Sequence, residues 1–273
     1  MGGDDKWKKT KKIIELFRNN IKGKLPDVSN KHIGHDGKYG HWLEEQFGIL
    51  ANATNGADFL GYELKNETSS KTTFGDWSAN RYIFKDDYYI ECFEGKTMPE
   101  RQDSFCKIFG NKNVLKDGRY SWSGSPVPII DKYNSFGQIL TITENKDIIA
   151  SYSYSKDLRL DKANIVPRKL QQENLILAHW FGVQSPNIKD KTLKLKLESK
   201  FNDKGWFTCK KGIDGTYNKI CFGEPMIYEN WIELVKKKIV FFDSGMYQGN
   251  KRPYSQWRAS NKYWDSLITE EYE

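Results

Sequence analysis

The sequence contains no run of about eighteen apolar residues, the length a membrane-spanning helix needs, and no apolar stretch at its start of the kind that opens a signal peptide. A soluble, cytoplasmic protein with no membrane partner is expected. Cysteine is scarce: Cys92, Cys106, Cys209 and Cys221 stand far apart, none in C-x-x-C spacing, which excludes a cysteine zinc cluster or a disulfide framework and leaves reduced thiols. Histidine is equally rare. His32, His35 and His41 cluster around one loop, but their spacing fits no zinc pattern and no cysteine is near, so no structural zinc is expected. There is no G-x-x-x-x-G-K-[ST] phosphate loop, so hydrolysis driven by ATP is not indicated. No internal repeat or long low-complexity segment occurs. One further absence is local: from Ser244 to Trp264 there is no acidic residue at all.

That acid-free stretch carries Lys251, Arg252, Arg258 and Lys262, interleaved with Tyr247, Tyr254, Trp257, Tyr263 and Trp264. It also holds Gln248, Asn250 and Gln256. Gln and Asn can make paired hydrogen bonds to adenine and Arg to guanine, so the stretch is expected to read DNA sequence. A second basic segment, residues 105–128, sets Lys107, Lys112, Lys116 and Arg119 against the single acid Asp117. Its Lys116-Asp117-Gly118-Arg119 stretch is a hairpin-turn signal, and such a hairpin can enter a groove and meet phosphates or guanine edges. The whole chain points the same way. At 273 residues it carries 43 Lys and Arg against 36 Asp and Glu, a net charge of +7 that favours a polyanionic partner. Nine tryptophans and fifteen tyrosines in so polar a chain suggest that some lie at the surface, where bases stack.

Hydrophobic periodicity outlines the elements. Residues 7–21 place Ile13, Ile14, Phe17 and Ile21 on one helical face, with lysines opposite. Residues 40–48 form a helix with Leu43, Phe47 and Leu50 on its apolar stripe and Glu44 beside it. A strand is expected over residues 71–77, next to the strand that follows Gly61, with Ser69, Ser70 and Lys71 toward a DNA backbone. Residues 140–142 and 148–154 read as a hairpin joined at Asn145-Lys146-Asp147. Residues 170–181 read as a helix, and residues 191–199 as a strand, since Leu193, Leu195 and Leu197 alternate with lysines. Residues 225–238 read as a helix with Ile227, Trp231 and Leu234 inward, followed by a buried strand at 239–242.

The chemistry concentrates in Ala57-Asp58-Phe59-Leu60-Gly61-Tyr62-Glu63-Leu64-Lys65. Gly61 reads as a turn into a short strand. On a strand side chains alternate, so Glu63 and Lys65 share one face while Leu64 is buried on the other. Asp58 can fold back to that face. Two carboxylates then offer oxygen ligands to a hard divalent cation, with an ammonium beside them to orient or deprotonate water or to stabilise developing charge. The alternative is a solvated strand edge carrying an ion pair.

With Gly40 and Glu44 upstream, the pattern Gly40, Glu44, Asp58, Gly61, Glu63, Lys65 resembles the PD-(D/E)xK nucleases, in the branch that holds MutH and the monomeric restriction enzymes MvaI and BcnI. Ala57 stands where the name motif has proline, a departure frequent in the superfamily. The short interval from Asp58 to Glu63 is more like MvaI than MutH. The resemblance implies that Asp58 and Glu63 bind Mg²⁺, that Lys65 is the catalytic lysine and Glu44 an accessory acid, and that an aromatic such as Phe74 packs by the lysine. It implies an α/β fold of restriction-endonuclease type, a mixed sheet flanked by helices, with a catalytic lobe over about 1–160 and a DNA-recognition lobe over about 161–273. It further implies a type II restriction endonuclease that cuts double-stranded DNA as a monomer in a bacterial host, with a cognate methyltransferase as genetic partner. MutH-like strand nicking is the nearest alternative. A non-catalytic DNA-binding protein would not need two acids and a lysine together, and a carbohydrate-active enzyme would not need the lysine or the acid-free basic loops.

Overall fold

The computed structural model describes residues 2–29, 37–49, 56–66 and 68–273. The chain packs into two compact units drawn from separated segments. One comprises Met1–Thr72, Lys196–Tyr228 and Ala259–Glu273, the other Thr73–Leu195 and Glu229–Arg258. The chain therefore does not part near residue 160. Strand pairing between distant segments decides membership, and composition along the chain carries no trace of it.

In the first unit the strand Tyr62–Lys65 runs parallel to Gly205–Lys211, which pairs antiparallel with Tyr217–Gly223, itself antiparallel to Ile268–Tyr272. This is the mixed sheet expected. Helix Gly2–Asn20 has Asp4 and Asp5 in its first turn and Arg18 in its last, as the helix dipole favours. Its Lys8 and Lys9 pair with those acids one turn away, at 2.9 and 3.0 Å, so much of the lysine face is a solvated face. Ile13, Ile14, Phe17 and Ile21 are buried against the sheet core, each such side chain worth about 1.5–3 kcal/mol in transfer from water. Helix Lys38–Gln46 adds Trp42 and Leu43, and Phe47 follows it into the same core before Gly48, at φ 72°, turns the chain away. Leu50, expected on this stripe, lies outside the described residues, as do His32 and His35; His41 is exposed.

In the second unit a four-stranded antiparallel sheet runs in the order Arg81–Tyr82, Leu175–Trp180, Ile148–Asp157, Phe136–Ile142. Its central hairpin is the one expected, turning at Lys146 in the left-handed region, φ 61°. The helix expected over 170–181 is instead a strand. Leu175 and Leu177 are buried while Ile176 between them is half exposed, a period of two that the sheet ladder stabilises. Helical character survives there only as the short 3-10 turn Arg168–Leu170. Helix Met98–Phe109 went unread, although Thr97 and Glu100 form a capping box at its start with Pro99 in the first turn.

The opposite exchange occurs over 191–199, where the structure has the helix Leu193–Phe201. Leu193, Leu197 and Phe201 are buried at four-residue spacing, and Leu195 is 53% exposed. Three alternating leucines satisfied a strand; the fourth apolar residue, Phe201, shows the period to be helical. Helix Tyr228–Lys236 also shifts its inward face, to Tyr228, Trp231, Ile232 and Val235, leaving Ile227 exposed. Strand Lys71–Asp76 forms, but its sheet partner is Gln256–Ser260, not Tyr62–Lys65.

Most of the tryptophans pack in the core. Trp180 meets Trp257 at 5.7 Å and Phe242 at 5.1 Å, and Trp122 meets Phe105 at 5.1 Å, all edge-on. Of the tryptophans, Trp7 is exposed and the other eight are buried, so the aromatics at the surface are Trp7 and tyrosines such as Tyr39 and Tyr88.

Candidate active site

The site is built on a turn. Phe59 and Tyr62 exchange both backbone hydrogen bonds at 2.9 Å, and the two residues between them, Leu60 and Gly61, have φ of 54° and 88°. Two consecutive left-handed residues make the mirror-image turn that matches strand twist. Leu60 accepts a conformation that costs a non-glycine residue about 1–3 kcal/mol, and such strain collects at working sites. The turn folds Asp58 back along the strand, where its Oδ2 accepts the Leu64 N–H at 2.9 Å. A β-carbon at Gly61 would meet the Asp203 carboxylate at 2.2 Å, but Asp203 is an exposed, flexible side chain that can swing away. The backbone sets the cost: Gly61→Ala is expected to destabilise the protein by about 1–2 kcal/mol and to lower cleavage, whereas Leu60→Gly should leave stability unchanged or raised. Urea denaturation of the two variants checks this, and equal stability would remove the turn from the argument.

Glu63 and Lys65 point the same way, as alternation requires, but this is no solvated strand edge. Glu63 is 2% exposed and Lys65 7%. Glu63 Oε1 accepts from Lys65 Nζ at 2.7 Å and from Lys200 Nζ at 2.8 Å. The Lys65 ammonium also lies 5.1 Å from the centre of the Phe201 ring. Phe201 thus takes the place expected for Phe74, which packs against Trp231. Lys200 and Phe201 were both missed because they sit on the helix misread as a strand. On that helix they follow one another at its last turn, just before Gly205–Lys211, the strand that pairs with Tyr62–Lys65.

The electrostatics follow from burial. Burial, reinforced by the Glu63 charge, raises the Asp58 carboxyl to about 6. Burial would raise Glu63 as well, but the charges of Lys65 and Lys200 outweigh it and hold its carboxyl below the usual range. Burial also pulls the Lys65 ammonium down, with Lys200 adding to the effect and Glu63 opposing it. The two carboxylates and two ammonium groups balance when all are ionised, and Asp58, which takes up its proton at about pH 6, is the adjustable charge.

Among the described residues no three His, Cys, Asp or Glu side chains gather as a metal site of protein ligands alone would require. A cation held by two carboxylates and water remains chemically suitable. Glu63 Oε2 is buried and has no hydrogen-bond partner, a desolvated anionic oxygen that a hard divalent cation would satisfy. Asp58 supplies the second carboxylate. Glu44 is half-buried on helix Lys38–Gln46, and among the described residues no hydrogen bond or ion pair joins it to either.

Several of the residues expected to meet DNA are engaged within the fold. Asn250 is buried, its Oδ1 accepting the Tyr247 N–H at 2.7 Å and its carbonyl accepting from Gln102 at 3.1 Å; it closes its loop and is not an exposed base reader. Gln248 ties that loop to the strand Arg119–Trp122, accepting from Tyr120 N–H at 3.1 Å and donating its own N–H to the Tyr120 carbonyl at 2.9 Å. Arg252 is paired with Asp76 at 2.7 Å and lies over Tyr254. The stretch without acids thus finds its carboxylates elsewhere in the fold. Arg258 lies 3.5 Å from Asp243 and donates to the Gln256 side-chain amide oxygen, Oε1. Arg119 stacks on Tyr247, 3.6 Å from the ring centre. Lys112, Lys116 and Lys251 are exposed, and Lys71 is half-buried at a strand start.

A family model described as LlaMI restriction endonuclease matches residues 21–272. The type II restriction enzyme ScrFI of Lactococcus lactis subsp. cremoris is 61% identical over 262 residues, 95% of this chain and 97% of that protein. Among solved structures, the complex of restriction endonuclease MvaI with its cognate DNA substrate matches 100% of this chain and 98% of its own, with TM-score 0.56 and 12% identity, a likeness of fold.

Proposed function

The chain belongs to the LlaMI restriction endonuclease family and is a type II site-specific deoxyribonuclease; we propose that it hydrolyses double-stranded DNA with Mg²⁺ held by Asp58 and Glu63, and with Lys65 as the catalytic lysine. The observation that carries this reading is the divided Glu63 carboxylate: one oxygen bonded by two lysines, the other buried and unpartnered, in electrostatic contact with Asp58.

Bound there, Mg²⁺ would polarise the scissile phosphoryl group and acidify a water molecule. The side chains do the rest. Asp58 in its ionised form would be a ligand, and the Leu64 N–H holds its carboxylate in place. Glu63 fixes the Lys65 ammonium against Phe201, so that its Nζ sits where it can orient the attacking water. Burial lowers the Lys65 pKa, which makes proton exchange with that water easier. Lys200, on the same oxygen, supplies a second positive charge for the phosphate or for the pentavalent transition state. Glu44 keeps the accessory role given by resemblance.

Recognition falls to the basic loops. Lys112, Lys116 and Lys251 suit phosphates, and Arg119, Gln256 and Arg258 suit base edges, with Lys71 at the backbone. Lys251→Ala is expected to weaken binding on every sequence and to reduce the salt dependence by about one phosphate contact. Arg258→Ala is expected to relax selectivity at one base pair by about 1–3 kcal/mol. Competition binding at several salt concentrations separates them, and a uniform loss for Arg258→Ala would make it a phosphate contact. The enzyme acts as a monomer on this reading, and the host carries a methyltransferase, since its own sites would otherwise be cut.

The direct test is incubation with unmethylated phage and plasmid DNA, with Mg²⁺ or EDTA and without ATP. Discrete Mg²⁺-dependent fragments with one shared end sequence are expected. Nicked circles alone would favour a MutH-like nickase, and tight binding without cleavage a DNA-binding protein.

A further inference from the structure

We propose that Val114 and Leu115, at the tip of the hairpin between Asn111–Asn113 and Arg119–Trp122, form a wedge that enters the DNA duplex and unstacks a base step. The proposal rests on duplex DNA being the substrate. Val114 is 81% exposed and Leu115 90%, adjacent in a turn where polar residues are the rule. Nothing in the fold is gained by apolar side chains there.

The tip is also held stiffly. Asn113 accepts backbone hydrogen bonds from Lys116 at 3.1 Å and Gly118 at 3.0 Å on its carbonyl, and from the Leu115 N–H at 3.1 Å on its side chain. Asp117 and Gly118, at φ 55° and 71°, turn the chain back into the second strand. That strand ends in Trp122, fully buried against Phe105, with its Nε1 donating to Gln138 at 2.6 Å. On its other edge it pairs with Met246–Tyr247, so the hairpin and the late basic loop, far apart in sequence, share one sheet. An apolar point on so firm a base can transmit force.

Charge selects the partner. Lys112 and Lys116 flank the tip, both exposed, and neither forms an ion pair among the described residues, while Lys107 and Lys169 on the same unit are paired with Glu94 and Glu91. Arg119, stacked on Tyr247, adds a third cation. A second copy of this hairpin would bring like charges together. Phosphates instead satisfy the cationic shoulders while stacked bases receive the apolar point, which is the chemistry of side chains that wedge open base steps.

The test uses a duplex containing the cleavage site found by end sequencing, with 2-aminopurine at successive positions and Ca²⁺ in place of Mg²⁺. Wild-type protein is expected to raise the fluorescence several-fold at one step. The double variant Val114→Ser, Leu115→Ser should lose that signal and bind about ten- to a hundredfold more weakly, with unchanged thermal unfolding because both side chains are exposed. Leu115→Phe should keep the signal. Equal affinity and fluorescence in the serine variant would overturn the wedge, as would a change confined to elution volume, which would mark the tip as a contact between copies. Wild-type protein that neither binds nor cuts any duplex would instead overturn the DNA reading itself, and the wedge with it.

Discussion

Asp58→Ala is expected to abolish cleavage, by at least about 10³-fold in single-turnover rate, while duplex affinity stays close to that of the unaltered protein. The variant removes one of two carboxylates and leaves the site with an excess positive charge, so a divalent cation loses both a ligand and its electrostatic attraction. The basic loops proposed to meet phosphates are untouched, and binding measured in Ca²⁺ should show it. Cleavage at a normal rate would overturn the site. Asp58→Asn sharpens the point through pH. The Asp58 carboxyl is raised from 3.8 to about 6, so the folded protein holds this proton more tightly than the unfolded chain. Its contribution therefore favours the fold at low pH and is lost as pH rises between about 4 and 6, a cost of no more than about 3 kcal/mol without metal. Mg²⁺ held by the ionised form would reverse the sign. Thermal stabilisation by Mg²⁺ should accordingly be small at pH 5 and large at pH 7.5, and Asp58→Asn should show neither the pH-dependent cost nor the metal gain. A metal shift independent of pH would exclude Asp58 as ligand.

The second large effect concerns the two lysines on Glu63. Lys65→Ala should lower turnover by roughly 10²–10⁴-fold without altering which sequence is cut. Arginine should not rescue it, since a planar guanidinium cannot take the place of a compact ammonium packed on Phe201 and bonded to a single carboxylate oxygen. Lys200→Ala should separate charge balance from chemistry. With Lys65 still holding Glu63, the site becomes more negative, so Mg²⁺ should bind more tightly while cleavage slows. Titration calorimetry alongside single-turnover kinetics reads both quantities. Weaker Mg²⁺ binding in Lys200→Ala would mean that this lysine orients Glu63 and does not merely neutralise it.

How much of this was legible depends on how local each feature is. Asp58, Gly61, Glu63 and Lys65 lie within one short stretch, and turn chemistry and strand alternation act over just such distances, so the folded-back aspartate and the shared face were readable without a structure. Helix Gly2–Asn20 and the hairpin of Phe136–Ile142 with Ile148–Asp157 were readable for the same reason. Periodicity misled where a segment was short. The three alternating leucines at 193, 195 and 197 fit two periods equally, and the choice was made by burial of Leu193, Leu197 and Phe201. That misreading concealed Lys200. The acid-free loop misled differently: its missing carboxylates arrive from Asp76, Asp103 and Asp243, outside the loop or at its base.

What the amino-acid order determined alone is the chemistry on offer: a strand bearing an acid and a lysine, a second acid beyond a glycine turn, and basic segments suited to a polyanion. What only the tertiary structure decided is the state of those groups. Pairing with Gly205–Lys211 buries the strand, and burial turns an ordinary Glu-x-Lys into a carboxylate clamped by two lysines, with one bare oxygen and a neighbouring aspartate raised to about 6. The reason is that charge, unlike helical or strand period, depends on the dielectric and on every nearby charge, and here the burying strand Gly205–Lys211 and the second lysine, Lys200, both come from more than a hundred positions away.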